Sequence, residues 1–377
     1  MKRLFSLALC CALLLCSLPT ALGEQAESAP LDPPLITPSM PWIDEDDVDD
    51  MSEQRDASGV IVENGRLSGF VTGPASIWDS EGHESFGDPA ICLTVDAPTP
   101  QGFTDEQRVI ITAPYIIFSK EQLGAAMQST GQRTWQFNEE AMKRMSYWGS
   151  VNSSETLPAT MGPDEARENA KQVALDFLRE AGVGGARVLS ALRPEDEADV
   201  FSLNVIPEQR EAERARILRE WHTSHQDYTW VQLQFTLRGL MALCHTVDEG
   251  GASCSSGANL YIGDAGEMRD AIIVYAPQEA EARPYTGELR TWREALELVA
   301  LWYGCTEENN IYHCTDLRGR ETHVTEFVVT GVEPGYLSAD GETYVPAWII
   351  TEQTRNVETG EFLYTPTLWA IDARVAR

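Results

Sequence analysis

Two amphipathic helices, each followed by segments that favour strands, constrain the fold of this chain more than any other feature. The first is PDEARENAKQVALDFLREAGV at 163–183, where apolar residues recur at helical spacing. Pro163 suits the first helical turn, and Gly182 suits the position after the last one. The second begins at Thr291, whose spacing from Glu294 is that of a capping box. Each helix therefore predicts one layer packed on the strands that follow it.

Strand-forming segments follow both helices. After the first come ARVLSAL (186–192), DVFSLNVI (199–206), YTWVQLQFTLRGLMALCHT (228–246) and MRDAIIVYAP (268–277); after the second come THVTEFVVTGVEPGYL (322–337), TYVPAWIITEQ (343–353) and EFLYTPTLWAID (361–372). Apolar, β-branched and aromatic residues favour these strands, and turn residues separate them. We predict an α+β fold in which small antiparallel sheets are each packed by one or two helices, in two or three consecutive units.

The predicted organisation has five parts. They are a signal peptide (1–23), a disordered proline-rich acidic linker (24–58), an N-terminal α+β region (59–158), a helix-plus-sheet unit (159–284) and a second helix-plus-sheet unit (285–377). The linker is predicted because proline and like charge, with few apolar residues, disfavour a packed core.

The N-terminus has the pattern of a secretory signal peptide. Two basic residues precede the apolar run 4–18, and small residues at 21 and 23 allow cleavage before Glu24. A lipid on Cys16 is the alternative, but Leu15 stands where a lipid-modified cysteine is preceded by Gly or Ala. We expect a secreted or envelope-associated protein without a lipid anchor. No transmembrane segment is expected in the mature chain, because no later run reaches the ~18 apolar residues of a span.

The chain is strongly acidic, with 59 Asp and Glu against 28 Lys and Arg and a formal net charge of −31. Such a surface repels nucleic acid and anionic membranes, so the expected partner is another envelope or secreted protein. The acidic run at 44–50 predicts a solvated tail. A loose calcium site is the alternative, although the EF-hand pattern is missing. The sequence does not specify an oligomeric state.

Five of the eight cysteines lie beyond the signal peptide. Cys244 and Cys254 flank one turn-rich segment, and Cys305 and Cys314 flank another. In an oxidising compartment we predict two local disulfides, one within each pair. Cys92 is then left as a buried thiol on a strand.

Metal binding is the alternative for the same region, because His245 and His313 adjoin two of these cysteines. The spacing within each cysteine pair is wider than that of typical zinc sites. His222 and His225 are spaced for one helix face, yet they lie in a polar segment at a helix end. We therefore predict no metal site and no cofactor.

No catalytic motif is present, since the sequence lacks G-x-S-x-G, H-E-x-x-H, a phosphate-binding loop and G-x-G-x-x-G. We predict no catalytic residue, and an enzyme is not the favoured interpretation. Several tryptophans lie in amphipathic elements and are expected in the core, with glycan binding by exposed rings as the alternative. These are Trp230, Trp292, Trp302, Trp348 and Trp369.

The segment YVPAWII (344–350), followed by EFLYTPTLWAID, resembles the closing strands of PepSY-like and YycI/YycH-type extracytoplasmic domains. The helix at 163–183 is similar to the opening helix of the same unit. The longer pattern, from CLTVDAP (92–98) onward, resembles a family of uncharacterised exported proteins and lipoproteins of Gram-positive bacteria, a domain of unknown function. The resemblance implies small helix-covered sheets and a role in restraining proteases or modulating a cell-envelope sensor kinase. It carries over no catalytic residue.

The sequence thus favours an exported, non-enzymatic binding or regulatory protein of the bacterial cell envelope, with an unknown partner. A secreted hydrolase acting on peptide or glycan is one alternative, and a glycan- or cation-binding module is another. Within the strand at 343–353, Pro346 is expected at an edge, a bulge or a kink. Trp348 is expected to anchor the apolar face of the helix that begins at Thr291.

Overall fold

The computed structural model describes residues 32–36, 59–78, 84–131, 135–137, 148–152, 161–224, 228–247, 253–303 and 310–375. The α-helices in this part of the chain are α1 (Lys120–Ser129), α2 (Pro163–Glu180), α3 (Pro194–Ser202), α4 (Arg210–Ser224) and α5 (Trp292–Tyr303). The strands are β1 (Ile61–Glu63), β2 (Arg66–Trp78), β3 (Glu84–Pro98), β4 (Val109–Thr112), β5 (Gln136–Phe137), β6 (Trp148–Asn152), β7 (Ala186–Leu192), β8 (Tyr228–Leu237), β9 (Leu240–Val247), β10 (Ser253–Ser255), β11 (Gly257–Gly263), β12 (Met268–Val274), β13 (Glu281–Pro284), β14 (Ile311–Thr315), β15 (Glu321–Ser338), β16 (Thr343–Asn356) and β17 (Phe362–Asp372).

The two helices that the sequence marks most clearly are confirmed. Pro163 lies in the first turn of α2, whose N-cap position is Gly162. At the start of α5, the Glu294 carboxylate accepts hydrogen bonds from the backbone N–H of Thr291 at 2.5 Å and from its hydroxyl at 2.8 Å. The backbone N–H of Glu294 donates back to that hydroxyl at 3.3 Å, which completes the capping box.

Helix α2 packs on one face of an antiparallel sheet. The strands pair in the order β7–β8–β11–β12–β6–β5. Phe177 and Leu178 of α2 are buried against Val231, Leu233 and Phe235 of β8 in one apolar cluster. Because side chains alternate along a strand, Tyr228 and Trp230 project from the other face of this sheet. That second face contributes to the candidate site.

The predicted fold class, small antiparallel sheets each packed by helices, is wrong. Among the described residues, seventeen strands join into one mixed network, and the helices are few. The 18-residue strand β15 links the network, because it pairs antiparallel with β14 and β16 and parallel with β3 and β9. The parallel pairings with β3 and β9 connect segments far apart in the chain, and the local periodicity of the sequence carries no information about them.

Pro346 lies at a point where its strand changes neighbour. On one edge, β16 pairs with β15 along nearly its whole length, including Tyr336 opposite Pro346. On the other edge, Thr343 and Tyr344 pair with β4, whereas pairing with β17 begins at Ala347. The missing N–H of a proline is tolerated where a ladder is interrupted. The sequence predicted an edge, a bulge or a kink at Pro346. The structure places Pro346 within a long strand, where the neighbour on one edge changes from β4 to β17.

Trp348 is buried, with 3% of its surface exposed. It belongs to the apolar cluster that contains Leu296 and Val299 of α5, which confirms the expected contact with that helix. Its indole Nε1 donates to the carbonyl of Arg290 at 2.8 Å, and its ring meets Phe103 edge-on at 4.9 Å.

The described residues from Leu35 onward belong to one compact unit. The predicted domain bounds near 158 and 284 stay a prediction. Within the predicted linker, the backbone N–H of Ile36 donates to the Asp372 carboxylate at 2.9 Å. The predicted signal peptide lies outside the described residues. No helix in the described ranges has the length and apolar character that crossing a bilayer requires.

Candidate functional site

A groove of about 880 Å³ opens between α3, the strands β7 and β8, and the turn that joins β16 to β17. Helix α3 contributes Glu197 and Phe201 to its lining, and β8 contributes Trp230. The turn and the start of β17 contribute Glu361 and Phe362. Three segments that are distant in the sequence therefore form one concave surface.

Helix α3 begins directly after β7 because the sequence there carries a strong start signal. Pro194 occupies the first helical position, and the Asp196 carboxylate accepts a hydrogen bond from the backbone N–H of Arg193 at 2.8 Å. The acidic residues of the first turn complement the helix dipole. The prediction of a strand at 199–206 is wrong, since α3 continues to Ser202. The start signal outweighs the strand-like pattern of the segment's second half.

Two ion pairs hold the start of α3 in place. Nη1 and Nη2 of Arg193 donate to the two carboxylate oxygens of Asp264 at 2.7 and 2.9 Å. Asp264 lies in the turn between β11 and β12, so this pair ties α3 to the sheet. Nη2 of Arg167, on α2, donates to the Asp196 carboxylate at 2.8 Å. The helix that carries Glu197 is thereby fixed from two neighbouring elements.

Local hydrogen bonds and a glycine fix the conformation of the β16–β17 turn. The side-chain oxygen of Asn356 accepts hydrogen bonds from the backbone N–H groups of Glu358 and Thr359 at 2.9 and 3.1 Å. Gly360 has a φ of 73°, in the left-handed region that glycine adopts without strain. These two residues turn the chain so that Glu361 and Phe362 reach the groove.

An aromatic cluster on the second face of the sheet supports Trp230. The Trp230 ring is stacked parallel to Tyr261 of β11, with ring centroids 5.9 Å apart. Its Nε1 donates to the side-chain oxygen of Asn259 at 3.0 Å, and Tyr228 meets Tyr261 edge-on at 5.5 Å. Trp230 is half-buried and lines the groove, whereas the sequence predicted it in the core.

Two of the four carboxylates in the groove lining are neutralised by arginines. Asp196 is paired with Arg167, and Asp199 is paired with Arg214 of α4. Among the described residues, the side chains of Glu197 and Glu361 form no ion pair and no hydrogen bond. These two carboxylates are therefore the negative groups that the groove presents to a ligand.

Burial raises the pKa of Glu197 and of several groups around it. It raises the pKa of Glu197 to about 7, and the neighbouring charge of Asp196 adds to this. Burial also raises the pKa of Tyr228 to about 12, with a further contribution from Glu197. The pKa values of Tyr261 and Asp270 are raised, chiefly by burial. Desolvation penalises the charged form of an acid, so Glu197 is only partly ionised at neutral pH.

The structure does not join either predicted disulfide pair. Cys244 and Cys314 are both thiols. The pairing of β9 with β10 sets Cys254 opposite Thr246 rather than opposite Cys244, and Cys305 lies outside the described residues. Cys92, expected as a thiol, is buried and disulfide-bonded. The groove lining contains no cysteine.

Of the histidines that the sequence raised as metal ligands, the structure describes the side chain of His313. No group of three or more His, Cys, Asp or Glu in the described ranges has the arrangement of a metal site. Nδ1 of His313 lies 2.7 Å from the Glu321 carboxylate on the neighbouring strand. The side chains of His222, His225 and His245 lie outside the described part.

Comparison with known proteins gives no family for this chain. No protein-family model matches it, and no curated protein matches it. Among solved structures, that of an uncharacterized protein from Eubacterium rectale ATCC 33656 is similar over 76% of this chain and 90% of that one, with 12% identity and a TM-score of 0.39. A likeness at this level carries no argument about fold or function. The resemblance to PepSY-like and YycI/YycH-type units stays a prediction.

Proposed function

We propose that this chain is an exported binding protein of the bacterial cell envelope that holds a segment of a partner protein in its groove. The observation that carries the proposal is the composition of the groove. It combines partly exposed aromatic side chains with two carboxylates that no described cation neutralises. Apolar anchors surrounded by polar groups are typical of interaction sites.

Two aromatic side chains of the groove are exposed enough for a partner to bury them. Phe201 and Phe362 are 45% and 46% exposed, and both line the groove. Burial of aromatic surface is a main source of binding energy at protein interfaces. The volume of about 880 Å³ lies towards the upper end of the roughly 300–1,000 Å³ range of ligand sites. The groove can therefore accept several side chains of an extended segment.

Two further features support the exported location. The N-terminal residues have the signal-peptide pattern described above. Cys92 is disulfide-bonded, and stable disulfides form mainly in oxidising compartments outside the cytosol. The chain is strongly acidic, so we expect its protein partner to present a basic rather than an acidic segment.

Site-specific photo-crosslinking tests the binding function. A benzoylphenylalanine replaces Phe362 in the mature protein, which is then irradiated in a cell-envelope extract. We expect a discrete protein adduct that unlabelled mature protein removes by competition. The matched control is the same replacement at Phe70 of β2, which is 44% exposed but does not line the groove. The same adducts from both positions, or none from position 362, would contradict the proposal.

A hydrolase acting on peptide or glycan is the second candidate, and one observation favours it. A carboxyl with a pKa of about 7, as burial produces at Glu197, is suited to act as a general acid near neutral pH. Turnover of a peptide or glycan panel by the mature protein, lost in Glu197→Gln, would support this candidate. Binding of a partner segment without turnover would favour the binding protein.

A further inference from the structure

We propose that the groove recognises a lysine or arginine side chain next to an apolar one in its partner segment, and that Glu197 and Glu361 receive the positive charge. This inference rests on the proposed binding function and adds the chemistry of the occupant. It follows from charge complementarity, from the burial of Glu197 and from the aromatic lining.

The first argument is the charge of the lining. It contains the carboxylates of Asp196, Glu197, Asp199 and Glu361 and one cation, Arg167. Since arginines neutralise Asp196 and Asp199, the negative charge that remains is that of the two glutamates. A negatively charged segment would be repelled here, and this applies to the acidic run at 44–50 of the chain itself.

The second argument is the position of Glu197. Its side chain is half-buried on α3, without an ion pair or hydrogen bond among the described residues. A carboxylate taken out of water is costly to ionise unless a cation or hydrogen-bond donor accompanies it. A ligand ammonium or guanidinium would supply that missing partner. The cation would therefore favour the ionised form of Glu197 in the complex.

The third argument is the aromatic surface beside the two glutamates. Phe201, Trp230 and Phe362 line the same groove. Lysine and arginine pack their aliphatic stems on apolar surface and place their charge over aromatic faces. A neighbouring apolar side chain of the ligand would bury part of the exposed phenylalanine surface. The occupant is thus an amphipathic basic segment.

A pH dependence follows from this chemistry. The titratable or charged groups that face Glu197 or share its groove come from each neighbouring element. They are Asp196 and Asp199 on α3, Arg167 on α2, Arg214 on α4, Tyr228 on β8, Tyr261 on β11, Asp270 on β12 and Glu361 on the turn. Because the pKa of Glu197 is about 7, acidification from about pH 8 to about pH 6 should protonate it and weaken binding of a cation roughly tenfold.

The test uses a matched set of fluorescein-labelled peptides without histidine. One peptide combines lysine with leucine and phenylalanine. The others replace lysine by glutamine, lysine by glutamate, or the apolar residues by serine. Fluorescence anisotropy with the mature protein should give measurable binding only for the first. Tighter binding of the glutamate peptide would overturn the proposal.

Variants separate the charge recognition from the groove itself. Glu197→Gln should weaken binding of the lysine peptide about tenfold at pH 8 and remove most of the pH dependence of that binding. Glu361→Lys should shift preference towards the glutamate peptide. The matched control is Glu358→Gln, in the same turn but outside the groove lining, which should leave binding unchanged.

The outcomes distinguish the inference from the proposed function. If Phe362→Ala abolishes binding while Glu197→Gln, Glu361→Lys and pH have no effect, the groove binds but the charge recognition is wrong. If Phe362→Ala and Phe70→Ala behave alike and the crosslinks fail as well, the binding function itself is wrong. Sedimentation velocity tests whether a second copy of this chain occupies the groove. Self-association that Phe362→Ala removes would show that a second copy of this chain fills the groove, and would overturn the proposed partner.

Discussion

Arg193, the residue before α3, forms a bidentate ion pair with Asp264 of the β11–β12 turn, and both side chains are almost completely buried, at 3% and 8% exposure. Nη1 of Arg193 also lies 3.5 Å from the Thr229 hydroxyl. The pair connects the helix that carries Glu197 with the sheet that carries Trp230. It is therefore both a structural contact and the support of the candidate groove.

Loss of one partner of this ion pair should destabilise the protein strongly. We expect Asp264→Ala to cost about 3–5 kcal/mol, because it removes the buried bidentate counter-charge of the Arg193 guanidinium, whereas the Glu195 carboxylate, 3.5 Å from Nε, is partly exposed. Urea denaturation followed by circular dichroism measures this. The control is Asp96→Ala, which removes an exposed partner of Arg66 and should cost less than about 1 kcal/mol. Equal effects of the two variants would show that the buried pair contributes little.

Trp348 should be among the most sensitive positions of the β15–β16–β17 region. Trp348→Ala removes a ring that is 3% exposed and packed against α5, so we expect a loss of about 3–5 kcal/mol. Trp348→Phe keeps most of the packing but loses the bond to the Arg290 carbonyl, at an expected cost of about 1–3 kcal/mol. Thermal unfolding of both variants is the measurement. An unchanged melting temperature for Trp348→Ala would show the ring to be exposed.

Cys92 should appear in a cross-linked peptide when the oxidised protein is digested without reductant. Mass spectrometry then identifies its partner. Cys305 is the expected one, because it follows α5 in the chain, and a side chain at Gly73 would meet both the Ala300 carbonyl of α5 and the Cys92 sulfur. Cys92→Ala should cost about 2–5 kcal/mol. Alkylation of Cys92 in the unfolded, unreduced protein would contradict this, and Cys314 is the thiol control.

The sequence predicted those elements whose cause is local. The turn between β1 and β2 is one example, because its residues Asn64 and Gly65 have positive φ and an Asn-Gly pair favours such a hairpin turn. The starts of α2 and α5 follow from proline, acidic residues and a capping box within one turn. The same reasoning could have found α3, because Pro194 is followed by three acidic residues, as Pro163 is by two.

What the sequence could not predict depends on distant contacts. Val328 and Val329 of β15 pair with Thr94 and Val95 of β3, which lie more than two hundred residues earlier in the chain. Alternation of apolar residues indicates which face of a strand is buried, and it does not indicate which strand lies beside it. The groove depends on such contacts, since α3, β8 and the β16–β17 turn meet only after the sheet has formed. No spacing motif therefore marked Glu197 or Glu361.

Glu197→Gln should make the free protein more stable above neutral pH, although it should weaken binding. The pKa of Glu197 rises from 4.5 to about 7 in the folded state, chiefly through burial. The folded state therefore holds a proton that the unfolded state has released between these values. The resulting stabilisation is complete below about pH 4.5 and is lost as the pH rises through about 7.

Glutamine keeps the neutral form at every pH. The variant and the natural protein should therefore melt alike near pH 4 and diverge as the pH rises towards 8, with the variant higher. Differential scanning fluorimetry across this range measures the divergence. Glu211→Gln on α4, an exposed position, should show no such pH trend. A variant that is less stable at pH 8 would mean that the ionised carboxylate already has a partner in the free protein. Glu197→Gln is thus expected to increase stability and to weaken binding. This combination is typical of a residue that serves recognition and lowers the stability of the fold.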